Sequence, residues 1–348
     1  MASEPAMRVA IGQFNELKEE KLQFAAQLGI PGVQMNTPKL PGEQRWEETD
    51  LRRLVLKCQE YGLAFEAIEN VPIHFYDKAM LGLPGRDEQV EHYQATIRNI
   101  GRAGIPILGY HFMPNSVWRT DRGAPGRGGY RSTLFDLAKV DLAASAGIRG
   151  YLIKTDERPG SLAVMDEESV VTEETMWANY KYFMRAVLPV AEKAGVKLAL
   201  HPDDPPVETL GGVARLFRNV EGFKRAEEIA AGSPAWGLDL CLGCCSEMPG
   251  GAANVMAMIE HFGPRGTILY IHFRDVQGTV PCFQECFLGE GNYDPAAVLL
   301  ALRRNGFTGF ILDDHVPHIV DDTPWGHRSR AHAMGYIQGL MAMMEHMD

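Results

Sequence analysis

At Leu198-Ala-Leu-His-Pro-Asp-Asp-Pro-Pro206, a short apolar run stops at a histidine. Proline cannot donate to the hydrogen-bond ladder of a sheet, so the pattern predicts a strand that ends at His201 and opens into a loop. Three later apolar runs also end on residue types that bind metal ions, namely Cys241, His272 and the triplet Asp313-Asp314-His315. Packing alone does not explain ligand types at the ends of four consecutive predicted strands. The pattern therefore predicts one mononuclear metal site.

The rest of the chain alternates short apolar runs with amphipathic segments, which is typical of βα units. Predicted strands lie at residues 7–12, 32–36, 63–69, 105–112, 196–201, 235–240, 267–272 and 308–313. Predicted helices lie at residues 16–28, 50–61, 87–103, 133–146, 173–194, 210–231, 252–262, 295–305 and 329–346, with Thr49 or Asp50 as the N-cap of the second. Such units close most simply as a parallel (β/α)8 TIM barrel of the α/β class, whose active site lies at the carboxyl ends of the strands.

A long excursion follows the fourth predicted strand, at about residues 113–172. It includes the predicted helix at 133–146 and a charged loop at 154–168. Insertions of this length often form lids, so we expect a single catalytic domain over residues 1–348 in which this excursion covers the site.

The composition is ordinary for a soluble globular protein, with 45% apolar and 23% charged residues. The net charge of -11 argues against a nucleic-acid surface, because phosphate binding needs clustered Lys and Arg. The first residues lack the basic start and apolar centre of a signal peptide, and no apolar run reaches the length of a membrane span. We therefore expect a cytoplasmic protein that binds neither nucleic acid nor membrane. We also expect a homo-oligomer, either dimer or tetramer.

The chain has six unevenly spaced cysteines, at positions 58, 241, 244, 245, 282 and 286. They are too few for a disulfide framework in a chain of this size, so reduced thiols are expected. A structural zinc knuckle at Cys241-Leu-Gly-Cys-Cys245 would need a second ligand pair at matching spacing. Cys282 and Cys286 match that spacing poorly.

Six runs of the chain resemble the mannonate dehydratase family, which lies among the xylose-isomerase-like barrels. They are Glu69-Asn-Val-Pro-Ile-His74, Tyr93-Gln-Ala-Thr-Ile-Arg-Asn-Ile100, Tyr110-His-Phe-Met-Pro114, His201-Pro-Asp-Asp-Pro-Pro206, His272-Phe-Arg274 and Asp314-His315. The resemblance implies a lyase of glucuronate catabolism that removes water from D-mannonate to give 2-keto-3-deoxy-D-gluconate. It also implies one divalent ion, commonly manganese, held by His201, Cys241, His272 and Asp314.

Two imidazoles, a thiolate and a carboxylate suit a borderline ion, so Mn²⁺, Fe²⁺, Co²⁺ and Zn²⁺ all fit this donor set. The thiolate argues against Mg²⁺ and Ca²⁺, which prefer oxygen ligands. Asp313 competes with Asp314 as the carboxylate ligand. Because adjacent residues of a strand face opposite sides, only one of the two is expected to point to the barrel axis.

Dehydration of a 2,3-dihydroxy acid requires a base for the proton next to the carboxylate and an acid for the leaving hydroxide. A neutral imidazole, with a pKa of about 6.5, suits the base, and His315 lies next to the predicted ligand Asp314. The resemblance also implicates this histidine in proton transfer. The acid is left open among Tyr110, His111, His327 and a water held by the ion.

Arg274 follows His272 by two residues and therefore lies on the same side of its strand. We expect it to hold the substrate carboxylate, with an ion pair to Asp275 or Glu285 as the alternative. Further residues on or beyond strand ends are expected to contact the polyol, namely His74, His111, Trp118, Arg119 and Asp203. Asp203 and its neighbour Asp204 are also suited to orienting His201.

The chain departs from the family pattern in two places. Members usually carry Arg-Pro-Asp-His where Leu312-Asp-Asp-His315 stands, and some carry a tyrosine where Trp325-Gly-His-Arg-Ser-Arg330 stands. Two other functions stay open. One is a keto-sugar isomerase or epimerase, which the same barrel supports, although such relatives usually bind the metal through two carboxylates and no cysteine. The other is a sugar-acid binding protein without catalysis.

Overall fold

Eight parallel strands form a closed barrel in which the first strand pairs with the last. The structure is a computed structural model that describes residues 7–140 and 170–347. In chain order the barrel strands are β1 (Arg8–Ile11), β2 (Gly32–Met35), β3 (Ala64–Ile68), β4 (Ile107–Tyr110), β5 (Lys197–Leu200), β6 (Trp236–Cys241), β7 (Ile268–His272) and β8 (Phe310–Leu312). Each strand lies beside its neighbours in sequence order. The predicted TIM barrel is confirmed.

Helices connect the strands around the barrel. They span Glu19–Gln27, Glu48–Gln59, Asp77–Leu81, Arg86–Arg102, Glu173–Ala194, Val220–Ala230, Leu242–Glu247, Ala252–Phe262, Pro295–Arg304 and His327–Glu345. The helix Glu173–Ala194 has the predicted bounds because both its ends carry strong signals: Thr172 caps the first turn and Gly195 ends it with a φ of 67°. The predicted cap at Thr49 or Asp50 is wrong, since that helix already begins at Glu48.

In the described ranges, no helix has the length and apolar character needed to cross a bilayer.

The alternation of side chains along each strand decides what reaches the barrel axis. The small inner core holds Ala10, Ala67, Ala199, Leu269, Tyr270, Phe310 and Leu312. With a period of two, the inward face continues past the strand ends to Glu69, His201, His272 and Asp314. A Cβ on Gly109 would lie 2.6 Å from the Tyr270 hydroxyl, so Gly109 also faces inward. Its neighbour Tyr110 therefore faces the outer helices.

A four-stranded antiparallel sheet is built from two excursions beyond the barrel strands, and we call it the covering sheet. Its strands, in spatial order, are Asp275–Thr279, Cys282–Cys286, Arg131–Asp136 and Asp121–Pro125. The predicted helix at 133–146 is therefore wrong over its described part, because Phe135 pairs across the sheet with Phe283. A tertiary partner overrides weak local preference here. The rest of that predicted helix and the charged loop at 154–168 lie outside the described residues.

The start of the helix before β6 differs from the prediction, whereas the state of the cysteines agrees with it. The predicted helix at 210–231 begins only at Val220, because Thr209–Leu210 and Val213–Ala214 pair as a short hairpin. All six cysteines are unpaired, as predicted.

A buried ion pair ties the last helix to the end of β8. Arg330 Nη1 lies 2.8 Å from Asp313 Oδ2 and donates to the backbone oxygen of Asp314 at 3.1 Å. The two side chains are 7% and 1% exposed. Burial raises the pKa of Asp313 to about 6, although Arg330 opposes the shift.

Replacing Arg330 with methionine is expected to destabilise the protein by about 3–5 kcal/mol, because Asp313 would stay buried without its cation. The measurement is the urea midpoint and slope followed by circular dichroism. Arg328→Met, on the exposed side of the same helix, serves as the control and should change stability by no more than about 0.5 kcal/mol. Equal changes in the free energy of unfolding for the two variants would show that the Arg330–Asp313 ion pair does not stabilise the fold.

Candidate functional site

The carboxyl ends of the barrel strands surround a cavity of about 770 Å³. Its polar lining includes Gln13, Asn36, Glu69, Asn70, His74, His111, Arg119, His201, Asp204, Asp314 and His315. Of the residues predicted to contact substrate, His74, His111 and Arg119 lie in this lining. The predicted base, His315, lines the same space.

The predicted metal ligands converge beside this cavity. The Asp314 Oδ2 atom lies 3.9 Å from Cys241 Sγ and 3.9 Å from His272 Nδ1. His201 has a ligand atom within 4.8 Å of Cys241 and of His272. Ligands bound at about 2.0–2.3 Å around one ion lie roughly 3–4 Å apart, so this spacing is close to that of a single site. Asp314 rather than Asp313 faces the cluster, in agreement with the alternation of β8.

The unsatisfied nitrogens of His272 indicate that the site suits a metal ion. Both nitrogens are buried, and neither has a hydrogen-bond partner among the described residues. Nδ1 lies 3.6 Å from Asp239 Oδ1, and Nε2 lies 3.6 Å from Glu69 Oε2, which is too long for a hydrogen bond. Leaving such a group unpaired costs about 1–3 kcal/mol. On His201, Nδ1 lies 2.7 Å from the Pro202 carbonyl oxygen, which leaves Nε2 for a ligand.

The charges around the imidazoles favour a cation. Burial opposes protonation of His201, but Asp239 and Cys241 outweigh it and raise its pKa to about 10. Burial also opposes charge on His272, whose pKa is nevertheless raised well above its usual range by Asp239, Asp314 and Glu69. The Cys241 thiol is the reverse case: burial raises its pKa, but Cys244, Arg274 and the imidazoles bring it well below the usual value. The site therefore attracts protons or a metal ion.

Arg274 lies on the predicted side of β7 but does not face an open site. Its guanidinium lies 2.7 Å from Glu247 Oε1, 3.1 Å from Glu285 Oε1 and 3.1 Å from Asp204 Oδ2. Its Nε lies 2.9 Å from Asp314 Oδ2, and the side chain is 1% exposed. The prediction that Arg274 holds the substrate carboxylate is therefore corrected: the protein's own carboxylates surround it, and the alternative pair with Glu285 is present.

Arg119 joins the same group of charges. Its Nη2 lies 2.8 Å from Asp204 Oδ2 and 2.9 Å from Glu285 Oε1, and its side chain is 4% exposed. We call Arg119, Asp204, Glu247, Arg274 and Glu285 the buried charge network. Burial and the neighbouring Asp204 raise the pKa of Glu247 to about 8, despite the two arginines. Sequence reasoning missed Glu247, because nothing local distinguishes it from a surface carboxylate.

His315 extends from the end of β8 into the cavity, and its side chain is 37% exposed. Its Nδ1 lies 2.6 Å from Glu285 Oε1, and its Nε2 lies 3.6 Å from Asp314 Oδ1. Burial opposes protonation of the ring, but Asp314 and Glu285 raise the pKa of His315 to about 8. The geometry thus presents a basic imidazole beside the predicted metal ligands.

Tyr110 does not reach the cavity, contrary to the prediction. Its hydroxyl lies 3.0 Å from the Tyr180 hydroxyl and 3.3 Å from Met184 Sδ, in the packing between barrel and helix. The cause is the strand alternation, which turns His111 inward and Tyr110 outward. Burial raises the pKa of Tyr110 well above its usual value, so the hydroxyl stays protonated.

Tyr110→Phe is therefore expected to leave kcat and KM within about twofold of wild type, while the lost buried hydrogen bond costs stability of about 1 kcal/mol. Steady-state kinetics and thermal unfolding measure the two effects. A large loss of kcat with unchanged stability would restore Tyr110 as a catalytic group.

Three further predicted residues also lie away from the cavity lining. Trp118 is buried in an apolar cluster with Phe135 and Phe283 beneath the covering sheet. Asp203 Oδ2 accepts a hydrogen bond from the Phe217 N–H at 2.6 Å, so it supports a loop and is not part of the cavity lining. His327 lies at the start of the last helix, with its Nδ1 2.6 Å from Thr323 Oγ1.

Two buried carboxylates beside His272 were missed by sequence reasoning, although the period of two could have found them. Asp239 lies two residues before Cys241 on the same face of β6, and Glu69 follows β3 as His201 follows β5. Glu69 accepts hydrogen bonds from the side-chain amides of Gln13, Gln34 and Asn36 at 2.8, 2.5 and 3.1 Å. This carboxylate is thus held in place next to the candidate metal centre.

Known proteins resemble this chain in sequence and in fold. A family model described as D-mannonate dehydratase (UxuA) matches residues 7–348. Mannonate dehydratases from Streptococcus suis (strain 05ZYH33) and Enterococcus faecalis are 33% and 32% identical, over 90% of this chain and 87% and 89% of their own lengths. The crystal structure of a Streptococcus suis serotype 2 mannonate dehydratase aligns with a TM-score of 0.82 at 29% identity, covering 96% of this chain and 93% of that one. An L-ribulose 3-epimerase, with a TM-score of 0.57, 17% identity and coverage of 98% of both chains, shares the fold alone.

Proposed function

The chain belongs to the D-mannonate dehydratase family, and from this premise we propose that it removes water from D-mannonate in the cavity lined by His315. It is accordingly a hydro-lyase that acts on a sugar acid. The observation that carries the proposal is the convergence of Cys241, His272 and Asp314 beside this cavity, with a basic imidazole next to them. The product would be 2-keto-3-deoxy-D-gluconate.

We propose that His201, Cys241, His272 and Asp314 hold a divalent ion, with Mn²⁺ as the first choice and Fe²⁺, Co²⁺ or Zn²⁺ as alternatives. The unpaired nitrogens of His272 and the mixed nitrogen, sulfur and oxygen donors support this assignment. When bound, such an ion offsets the negative charge that grows on the substrate carboxylate and C2 oxygen during deprotonation.

His315 acts as the general base in this proposal. Its Nε2 accepts the proton from C2, the electron pair of the C2–H bond forms a C2–C3 double bond, and the C3–O bond breaks. The leaving hydroxide takes up a proton and departs as water, and the enol that remains converts to the 2-keto-3-deoxy acid. No oxidant or reductant is needed. Among the side chains predicted as the acid, His111 lines the cavity, whereas Tyr110 and His327 lie elsewhere.

The isomerase and binding-protein alternatives receive less support. The epimerase-like neighbours share only the fold, and a cysteine thiol stands in the candidate metal cluster here. A binding protein would have no need for an imidazole raised to a pKa of about 8 beside that cluster.

The test is incubation of the Mn²⁺-loaded protein with D-mannonate and a panel of other aldonates. Loss of aldonate with formation of a 2-keto-3-deoxy acid is the expected result. Solvent deuterium in recovered sugar without loss of water would favour an isomerase. Binding of aldonates without any turnover would favour the binding-protein alternative, and either outcome overturns the proposal.

A further inference from the structure

The inner side of His315 is held by a carboxylate from another part of the fold. Glu285 lies on the strand Cys282–Cys286 of the covering sheet, and its Oε1 is 2.6 Å from His315 Nδ1. The Glu285 side chain is 2% exposed, whereas that of His315 is 37% exposed and lines the cavity. The carboxylate thus approaches the ring from the buried side and leaves Nε2 on the side of Asp314.

Two buried guanidinium groups fix Glu285. Arg119 Nη2 lies 2.9 Å and Arg274 Nη1 lies 3.1 Å from the same Oε1 that meets His315. Their side chains are 4% and 1% exposed, so water screens these attractions weakly. An ionised carboxylate only accepts hydrogen bonds. The proton shared with Glu285 must therefore belong to Nδ1 of His315, which leaves Nε2 of the neutral ring as a free base.

We propose that Glu285 is the positioning residue of the base in the dehydration, an inference that rests on the proposed function. Glu285 holds His315 in the tautomer that carries its proton on Nδ1. When Nε2 accepts the C2 proton, the C2–H bond breaks, a new N–H bond forms and the electron pair stays with the substrate. The ring then becomes positively charged, and the negative charge of Glu285 stabilises it. The covering sheet therefore supplies the carboxylate that orients the base, and the end of β8 supplies the base itself.

Glu247 provides a matched control for the structural role of Glu285. It is a second fully buried glutamate of the same charge network, 2.7 Å from Arg274 and 3.9 Å from Arg119. The described contacts of Glu247 do not include His315. Glu285→Gln and Glu247→Gln each replace a carboxyl group beside the same pair of arginines, and only the first changes the partner of the imidazole.

Kinetics of the metal-loaded enzyme test the proposal, with rates normalised to bound metal. Glu285→Gln should lower kcat by at least about 100-fold with KM within threefold of wild type, because general base catalysis contributes about 10²–10⁴. Glu247→Gln should lower kcat by less than about fivefold. In a His315→Asn background, Glu285→Gln should cost no more than about twofold, since residues that act as a unit are not additive. Equal losses for the two glutamines, or full additivity with His315→Asn, would overturn the proposal.

A spectroscopic readout keeps this inference separate from the proposed function. In the Zn²⁺-loaded protein, ¹⁵N resonances of the His315 ring, assigned by their loss in His315→Asn, should show protonation at Nδ1 and a bare Nε2 in the neutral ring. Glu285→Gln should populate both tautomers, while Glu247→Gln should not. An unchanged tautomer in Glu285→Gln refutes the positioning role even if no aldonate is dehydrated. Should Glu285→Gln fail to fold, Glu285→Asp is the second variant. It keeps the negative charge, but its shorter side chain moves the carboxylate oxygen away from His315 Nδ1, so the same loss of kcat and the same mixture of tautomers are expected.

Discussion

His315→Asn is expected to lower kcat by about 10²–10⁴-fold. The asparagine keeps a polar side chain in the cavity but has no nitrogen that accepts a proton near neutral pH. Because His315 is not a predicted metal ligand and is partly exposed, bound metal and the unfolding midpoint should stay close to those of wild type. The measurement is steady-state turnover of D-mannonate, with metal content determined on the same samples.

His318→Asn is the matched control for this substitution. His318 is exposed and pairs with Arg131 through backbone atoms, so its side chain is not needed for that contact. Its replacement should leave kcat within about twofold of wild type. Turnover by His315→Asn within fivefold of wild type would remove His315 from the mechanism and leave the base unassigned.

Cys241→Ser is expected to weaken metal binding by more than about 100-fold. Loss of a residue that only hydrogen-bonds to a metal ligand costs up to about 100-fold in affinity, and loss of a ligand should cost more. The thiolate is buried between His272 and Asp314, and a serine hydroxyl in its place does not ionise near neutral pH. After dialysis the variant should carry little metal and show little turnover. Added Mn²⁺ should raise the unfolding temperature of wild type but not of the variant, because an ion that binds only the folded state stabilises it.

Cys245→Ser separates this effect from the cost of any buried hydroxyl. Cys245 is also fully buried, four residues further along, but packs within the main apolar core. Burial raises the pKa of its thiol well above the usual value, so it stays protonated. Its variant should retain metal and turnover even if it is less stable. Full metal occupancy in Cys241→Ser would show that the thiolate is not a ligand.

The two departures from the family pattern have a structural counterpart at the end of β8. Where members usually carry Arg-Pro, this chain has Leu312 in the inner core and Asp313 paired with Arg330 from the last helix. Asp313 is thus paired with a guanidinium from another element, which also contacts the backbone of Asp314. Arg330 thereby supports the residue that we assign to the metal.

The error at Tyr110 has a simple geometric origin. The residue at each strand end faces either the barrel axis or the helices, so nearness to a strand end does not by itself place a side chain in the cavity. Counting in steps of two from Ala67 or Ala199 reaches Glu69 and His201 on the inner face. On β4 the count starts from Gly109, which faces inward in the structure, and it turns Tyr110 outward, so the Tyr110 hydroxyl does not reach the cavity. Asp239 is found in the same way from Cys241.

The sequence by itself determined the barrel and the convergence of the predicted ligands, because parallel strands joined by helices bring their carboxyl ends to one face and the period of two orients the side chains there. Only the tertiary structure decided the surroundings of Arg274 and His315. Arg119 and Glu285, which pair within the buried charge network, are 166 positions apart in the chain. No local pattern encodes such a contact, since it depends on how the covering sheet packs over the strand ends and excludes water from its charges.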